Sequence, residues 1–353
     1  MHLFPHNDKM HDLSLVIELD LVYIYIKSLI FNWDIVLREE YRLSRIVFQK
    51  GERMSGTETS TSGMSPTSGV RPSRDAGGLH MENQISTWDF TALKRDQQHA
   101  WASGDYSMIA ATLVPISERL CEAVDLHAGQ RVLDVATGCG NTALAAACRG
   151  CDVIGIDFVP ALLERGQEQA VSEGLSVTFQ EGDAEQIPFP DASFDVVLST
   201  FGVMFAPNQE QAARELLRVC RGGGKIGLAN WTQDSYSGQL GWTIGLHVPS
   251  LAGLKPPFLW GMEERLRELF GEDITSLQVR QRSLVLCARS EQDNLKALRT
   301  YFGPVIKAYE ALDAQRQKRL THDLLNLFHR FNRSGDEMMA VSSDYLEVVA
   351  TRR

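Results

Sequence analysis

The chain has 353 residues, of which 44% are hydrophobic and 23% charged. At about 100–200 residues per domain, that length predicts two domains or one large domain with additions. The composition is that of a soluble globular chain and excludes a wholly disordered or fibrous one. Thirty-five basic against 45 acidic side chains give a net charge of −10. That balance opposes a nucleic-acid partner, because phosphate backbones attract basic surfaces.

Residues 13–37 are apolar, but Glu18, Asp20, Lys27 and Asp34 interrupt them. A membrane-spanning helix needs about 20 predominantly apolar residues, so no integral span is expected. No small-residue cleavage site follows a clean apolar run, so a signal peptide is not read here either. Residues 55–78 follow, with 17 of 24 being Ser, Thr, Gly or Pro. Such a stretch buries too little surface to offset chain entropy and is expected to be a disordered linker over residues 54–83. The run Lys50-Gly51-Glu52 directly before Met54 can be encoded by a purine-rich stretch resembling a ribosome-binding site. Residues 1–53 therefore read either as a non-native extension or as an amphipathic arm.

From about residue 84 the pattern is regular, giving one domain over 84–353. A helix is expected over 107–124, with Ile109, Leu113, Ile116 and Leu120 on one face. Strands follow at 131–135, 152–156, 176–180 and 194–199. Helices follow at 141–148, 160–173 and 209–220. Pro160 opens its helix, Gly174 ends it, and Asn141 is placed to cap another. Gly222, Gly223 and Gly224 are read as a turn into a fifth strand at 225–231. Strands alternating with helices imply a parallel sheet covered on both faces, with a ligand crevice at the strands' carboxyl ends. Later elements are a helix at 262–270, a strand at 277–288, helices after Ser290 and over 313–331, and a closing strand at 345–351. Segments 232–270 and 290–333 are expected to cap the crevice.

The six cysteines include Cys148 and Cys151 in a lone C-x-x-C without a second pair or a nearby histidine. A zinc site needs four ligands, so no metal is expected, and reduced thiols in a cytoplasmic protein are the simpler reading.

The chemistry concentrates after the first strand, in Asp134-Val135-Ala136-Thr137-Gly138-Cys139-Gly140-Asn141. Gly138 and Gly140 let the backbone turn sharply and approach a ligand closely. The same spacing, with Ala143 in the last place, fits a nicotinamide-binding fingerprint. Three acids separate the readings. Asp134, at the strand end, would repel a pyrophosphate but suits an ammonium group. Asp157, at the end of the second strand, is placed to accept from two ribose hydroxyls. Asp183, after the third, can accept from an adenine amino group. A ligand with an amino-acid end, a ribose and an adenine fits all three.

These motifs resemble the class I S-adenosylmethionine-dependent methyltransferases, and most of all the bacterial small-molecule branch related to ubiquinone/menaquinone-biosynthesis methyltransferases. VLDVATGCGNTAL, VIGIDF, EGDAEQIPFPDASFDVVLSTFGVMFAPN and ELLRVCRGGGKIGLANW stand in the family's order. The resemblance implies an α/β, doubly wound, Rossmann-like seven-stranded sheet with its last strand antiparallel, and S-adenosyl-L-methionine as cofactor. It assigns Asp134, Thr137, Gly138 and Gly140 to the methionine portion, Asp157 to the ribose and Phe158 to the adenine face. Asp183 and Ala184 would take the adenine edge, with Ser199 and Phe201 on the cofactor's other side. Tyr106 reads either as a cover for the methionine part or as a surface tyrosine.

The implied reaction is in-line methyl transfer to a small-molecule acceptor, with an oxygen or carbon nucleophile favoured. The Asn/Asp-Pro-Pro-aromatic run of the family's amino-methylating enzymes is missing after the fourth strand. His247 is the candidate general base. Met204, Phe205, Trp242, Phe258, Trp260, Tyr301 and Phe302 are candidates for an apolar acceptor wall. Two other readings stay open: a nicotinamide-dependent oxidoreductase, and a catalytically silent methyltransferase-like binding subunit.

Overall fold

The structure is a computed structural model that describes residues 90–248 and 255–353. The expected extension over residues 1–53 and the linker over residues 54–83 lie outside the described residues.

Helix α1 (Phe90–Trp101) comes first. The expected helix over 107–124 is a short α2 (Ser107–Ala110), one 3₁₀ turn and α3 (Val114–Ala123). The junction falls at Pro115, which has no N–H to continue a helix and so begins a new one. Then come β1 (Arg131–Val135), α4 (Asn141–Ala147), β2 (Asp152–Asp157), α5 (Pro160–Glu173), β3 (Thr178–Glu181) and β4 (Phe194–Thr200). They are followed by α6 (Gln209–Val219), β5 (Cys220–Trp231), α7 (Tyr236–His247) and α8 (Glu263–Phe270). The chain ends with β6 (Ile274–Ala288), α9 (Glu291–Tyr301), α10 (Gly303–Glu310), α11 (Ala314–Phe331) and β7 (Met339–Arg352).

The seven strands form one sheet in the order β3-β2-β1-β4-β5-β7-β6. Strands β1 to β5 pair in parallel, and β7 inserts antiparallel between β5 and β6. The α/β doubly wound sheet with an antiparallel last strand is therefore present. Strand order reverses at β1 and β4, so the ends of these two strands open a crevice between diverging connections.

Central strands are apolar on both faces because helices cover both. Val132, Leu133, Val135, Val196, Val197 and Leu198 are all almost fully buried. A separate apolar cluster joins α7 to α9–α11 through Tyr236, Leu240, Leu298, Val305, Leu320 and Phe328. The side chains of Ser290 and Asp313 cap α9 and α11 by accepting from the first-turn amides.

Two local readings change. Gly222–Gly224 is no free-standing turn: the residues lie within β5, where the β4–β5 register shifts between Phe194 and Val196. Gly224 fits there because a Cβ would stand 2.7 Å from the Asp195 carbonyl oxygen. Asn141 does not cap α4 either. Gly140 holds the N-cap position, and the Asn141 side chain donates to the Ala110 carbonyl at 2.7 Å, tying α4 to α2.

Leu133→Ala should lower stability by about 3 kcal/mol, from lost burial and the cavity left in the central strand. Val171→Ala, at a position 71% exposed, should change it by less than about 0.5 kcal/mol. Urea unfolding of both variants checks this, and equal losses would contradict the placement of the core.

Candidate active site

The loop after β1 is held by two buried carboxylates. Ala136, Gly138 and Gly140 have φ of 53°, 57° and 84°, so three of five residues are left-handed. Such a bend needs partners for its amides. Asp157 Oδ2 accepts from the Gly138 N–H at 2.9 Å, while its Oδ1 accepts from Val159 N at 2.9 Å. Asp134 Oδ2 accepts from Thr137 Oγ1 at 2.5 Å and from Ala143 N at 3.1 Å. Asp134 Oδ1 is buried with no partner among the described residues.

Burial dominates the electrostatics of both acids. It pushes the Asp134 carboxyl up to about 7, against the opposing bonds from Thr137 and Ala143 and with a further push from the Asp157 charge. It pushes Asp157 up to about 6, against the bonds from Gly138, Val159 and Phe158. Residual demand for positive charge or hydrogen-bond donors is thus built into the base of the loop.

Above the loop lies a crevice of about 630 Å³, counting its open mouth. Thr137, Gly138, Asp157 and Phe158 line one side, and Thr200, Phe201, Gly202 and Phe205 another. Ala136 and Phe201 are both left-handed and belong to loops that touch. Gly202 permits this, since a Cβ there would stand 2.4 Å from the Ala136 carbonyl oxygen. The Phe201 ring is turned inward, stacked on Trp231 with centroids 3.8 Å apart and planes within 1°.

Helices α1–α3 supply the remaining wall through Trp101, Tyr106, Leu113 and Ser117. No residue of α1 is buried. It is fastened by polar side chains instead. Lys94 pairs with Asp183 at 2.7 Å and Glu185 at 2.5 Å, Gln97 donates to the Phe205 carbonyl at 3.1 Å, and Gln98 donates to the Phe158 carbonyl. Trp101 then meets Tyr106, Phe205 and Phe302 edge-on.

Six of the twelve residues singled out in the sequence line the crevice: Tyr106, Thr137, Gly138, Asp157, Phe158 and Phe201. The other six do not. Asp134 lies beneath the loop. Gly140 sits behind it, where a Cβ would strike the Phe179 ring at 2.7 Å. Asp183 is engaged by Lys94, with Ala184 beside it packed on the core. Ser199 is buried and donates to the Val135 carbonyl at 2.7 Å. His247 sits at the end of α7 and pairs with Asp323 at 2.8 Å.

The apolar wall is also redrawn. Met204 and Trp260 are fully buried in the core, and Trp242 is 55% exposed. Of the seven aromatic and methionine candidates, only Phe205 lines the crevice. Trp101, Ser117, Thr142 and Thr200 also line it, though no sequence motif assigns them a role. Their only signal is position, at the ends of elements that the sheet order brings together.

A methyltransferase domain family matches residues 133–228. The uncharacterized protein Rv1405c of Mycobacterium tuberculosis is 39% identical over 261 residues, covering 72% of this chain and 93% of that protein. A demethylmenaquinone methyltransferase of Thermus thermophilus is 43% identical over 109 residues, 30% of this chain and 50% of that enzyme. The solved YcgJ protein of Bacillus subtilis is similar over 67% of this chain and 98% of its own, with a TM-score of 0.47 and 21% identity. This chain belongs to the class I S-adenosylmethionine-dependent methyltransferases. Among the described residues no helix is long and apolar enough to cross a membrane.

The raised carboxyls set a pH dependence. In the folded chain they keep protons that the unfolded chain has already released above the ordinary value of about 4. The stability they contribute is complete below that value and is lost as pH rises through about 6 and about 7. The ligand-free protein should therefore lose urea resistance between about pH 4 and about pH 7, and Asp134→Asn should lose less over that window. An equally steep decline in the variant would place the titrating group elsewhere.

Proposed function

We propose that this chain transfers the methyl group of S-adenosyl-L-methionine to a small-molecule acceptor in the crevice over β1, β2 and β4, as a cytoplasmic enzyme. The observation that carries the reading is the pair of buried acids beneath a left-handed backbone bend, one with a carboxylate oxygen left without a partner. An ammonium group beside Asp134 would favour its ionised form and satisfy that oxygen. Asp157, on the crevice wall, keeps lone pairs for ribose hydroxyls while its backbone bonds hold it in place. Asp183 and Ala184 are assigned to the adenine edge, with Lys94 as a neighbour of that contact. Phe158 and Tyr106 are left to cover the ligand.

When bound, the sulfonium cofactor supplies an already electrophilic methyl group. The residues then have to hold a nucleophile in line and keep water out, and positioning of that kind supplies much of the rate. The walls suit this: Trp101, Tyr106, Leu113 and Phe205 form an apolar cover. Burial pushes the thiol of Cys139, in the same wall, up to about 12, so it stays protonated and is no base. His247, paired with Asp323 outside the lining, is not assigned the proton. Oxygen and carbon nucleophiles are the favoured acceptors, and the likeness to demethylmenaquinone methyltransferases supports a small molecule.

The nicotinamide reading finds less support. A pyrophosphate would meet an acid and no lysine or arginine in the lining, and the Gly138 N–H is already committed to Asp157.

Asp157→Ala should weaken S-adenosylhomocysteine binding about 30-fold, the equivalent of roughly 2 kcal/mol of lost hydrogen bonding, with the circular dichroism of the fold retained. Calorimetric titration of both proteins measures this. Unchanged affinity would count against the assignment, and binding without transfer of labelled methyl would point to a silent binding subunit.

A further inference from the structure

Three hydroxyls from three elements meet at the floor of the crevice. Ser117 comes from α3, Thr142 from α4 and Thr200 from the end of β4, and all three line the cavity. Ser117 and Thr142 are 1% and 2% exposed. Thr142 Oγ1 donates to Ser117 Oγ at 2.9 Å and stands 2.8 Å from Thr200 Oγ1. Among the described residues, no backbone carbonyl accepts from any of the three. Buried Ser and Thr hydroxyls usually do find such a carbonyl, so this chain is turned towards itself and the crevice.

Its direction follows from counting hydrogens. A hydroxyl has one hydrogen and two lone pairs. Thr142 gives its one hydrogen to Ser117, so in the other contact Thr200 must be the donor. That commits the hydrogen of Thr200 inward. Half-buried Thr200 then shows the crevice lone pairs only.

Resting on the methyl-transfer reading, we propose that Thr200 Oγ1 accepts a hydrogen bond from a hydroxyl that the methyl acceptor carries at, or next to, its nucleophilic atom. Ser117 and Thr142 are positioning residues, because they act by fixing which way Thr200 donates. An oxygen nucleophile is held directly. A carbon nucleophile is held through a hydroxyl beside it, as in a phenol or enol. An ether or carbonyl at the same place would set lone pairs against lone pairs, and a site built for a hydroxyl penalises such an analogue. The surrounding Trp101, Tyr106 and Phe205 suit an aromatic acceptor.

The test uses the full chain saturated with S-adenosylhomocysteine, titrated with phenol and with anisole and followed by ligand-observed NMR. Phenol should bind about tenfold more tightly than anisole. Thr200→Val should erase that preference and Thr200→Ser should keep it. Ser117→Ala frees the Thr142 hydrogen to turn towards Thr200, so the preference should shrink or reverse while S-adenosylhomocysteine affinity holds. A merely structural serine would not produce that change. Equal binding of the two probes, no binding of phenol, or a preference that survives Thr200→Val or Ser117→Ala would overturn the inference. A wild-type chain that fails to bind S-adenosylhomocysteine would instead sink the methyl-transfer reading beneath it.

Discussion

The acceptance of the Gly138 amide by Asp157 organises this molecule's crevice. A backbone bend with three left-handed residues leaves N–H groups without a ladder to join, and a buried N–H without a partner is costly. Asp157 takes one of them and Asp134 takes the helix amide and the threonine hydroxyl beyond. The acids in turn are taken out of water, and two or three hydrogen bonds each do not fully compensate, as their raised pKa values record. A site built this way is complete as a fold but incomplete as a charge distribution. On the proposed reading a donor-rich, positively charged group completes it, and the same two side chains serve structure and ligand selection together.

The cover over the crevice follows a different logic from the core beneath it. Helix α1 turns Phe90, Ala92, Leu93, Lys94, Gln97, Gln98, Ala100 and Trp101 towards the body, and three of those eight are polar. Hydrogen bonds and one lysine bridging two acids hold it beside the edge-on ring contacts of Trp101, whereas apolar interlocking joins α7 to α9–α11. The loops it grips, after β2, β3 and β4, are the ones that carry Phe158, Asp183 and Phe205.

Much of the parallel half was legible in the sequence because each element there has one dominant signal. Strand β1 is an apolar run with Asp134 one residue before its end, α5 opens on Pro160 and closes on a left-handed Gly174, and α6 carries a clear apolar stripe. Acids at the ends of successive parallel strands must converge, so Asp134 and Asp157 could be placed together before any coordinates. The walls could not. Whether Trp260 or Trp101 faces the ligand depends on which surface the chain covers after the sheet is built, and aromatic content alone cannot say. Trp260 went to the core beneath β5, and Trp101, from a helix with no buried residue, went to the crevice. The hydroxyl chain was equally hidden, because Thr142 lies 25 residues from Ser117 and 58 from Thr200.

The left-handed pair Ala136 and Phe201 ties these parts together. For a residue with a bulky side chain, φ near +60° costs roughly 1–2 kcal/mol. The Phe201 ring is 5% exposed, and its burial against Trp231 favours the bend. What the strain accomplishes is directional. With Phe201 left-handed, its ring leaves the crevice for the core and the chain turns immediately after Thr200. A relaxed, extended Phe201 would carry the strand onward past the crevice. Left-handed Ala136 does the same for the loop after β1, and Gly202 lets the two bends touch. The crevice is thus an opening that two strained turns hold clear, with Asp157 on its wall and the hydroxyls at its floor.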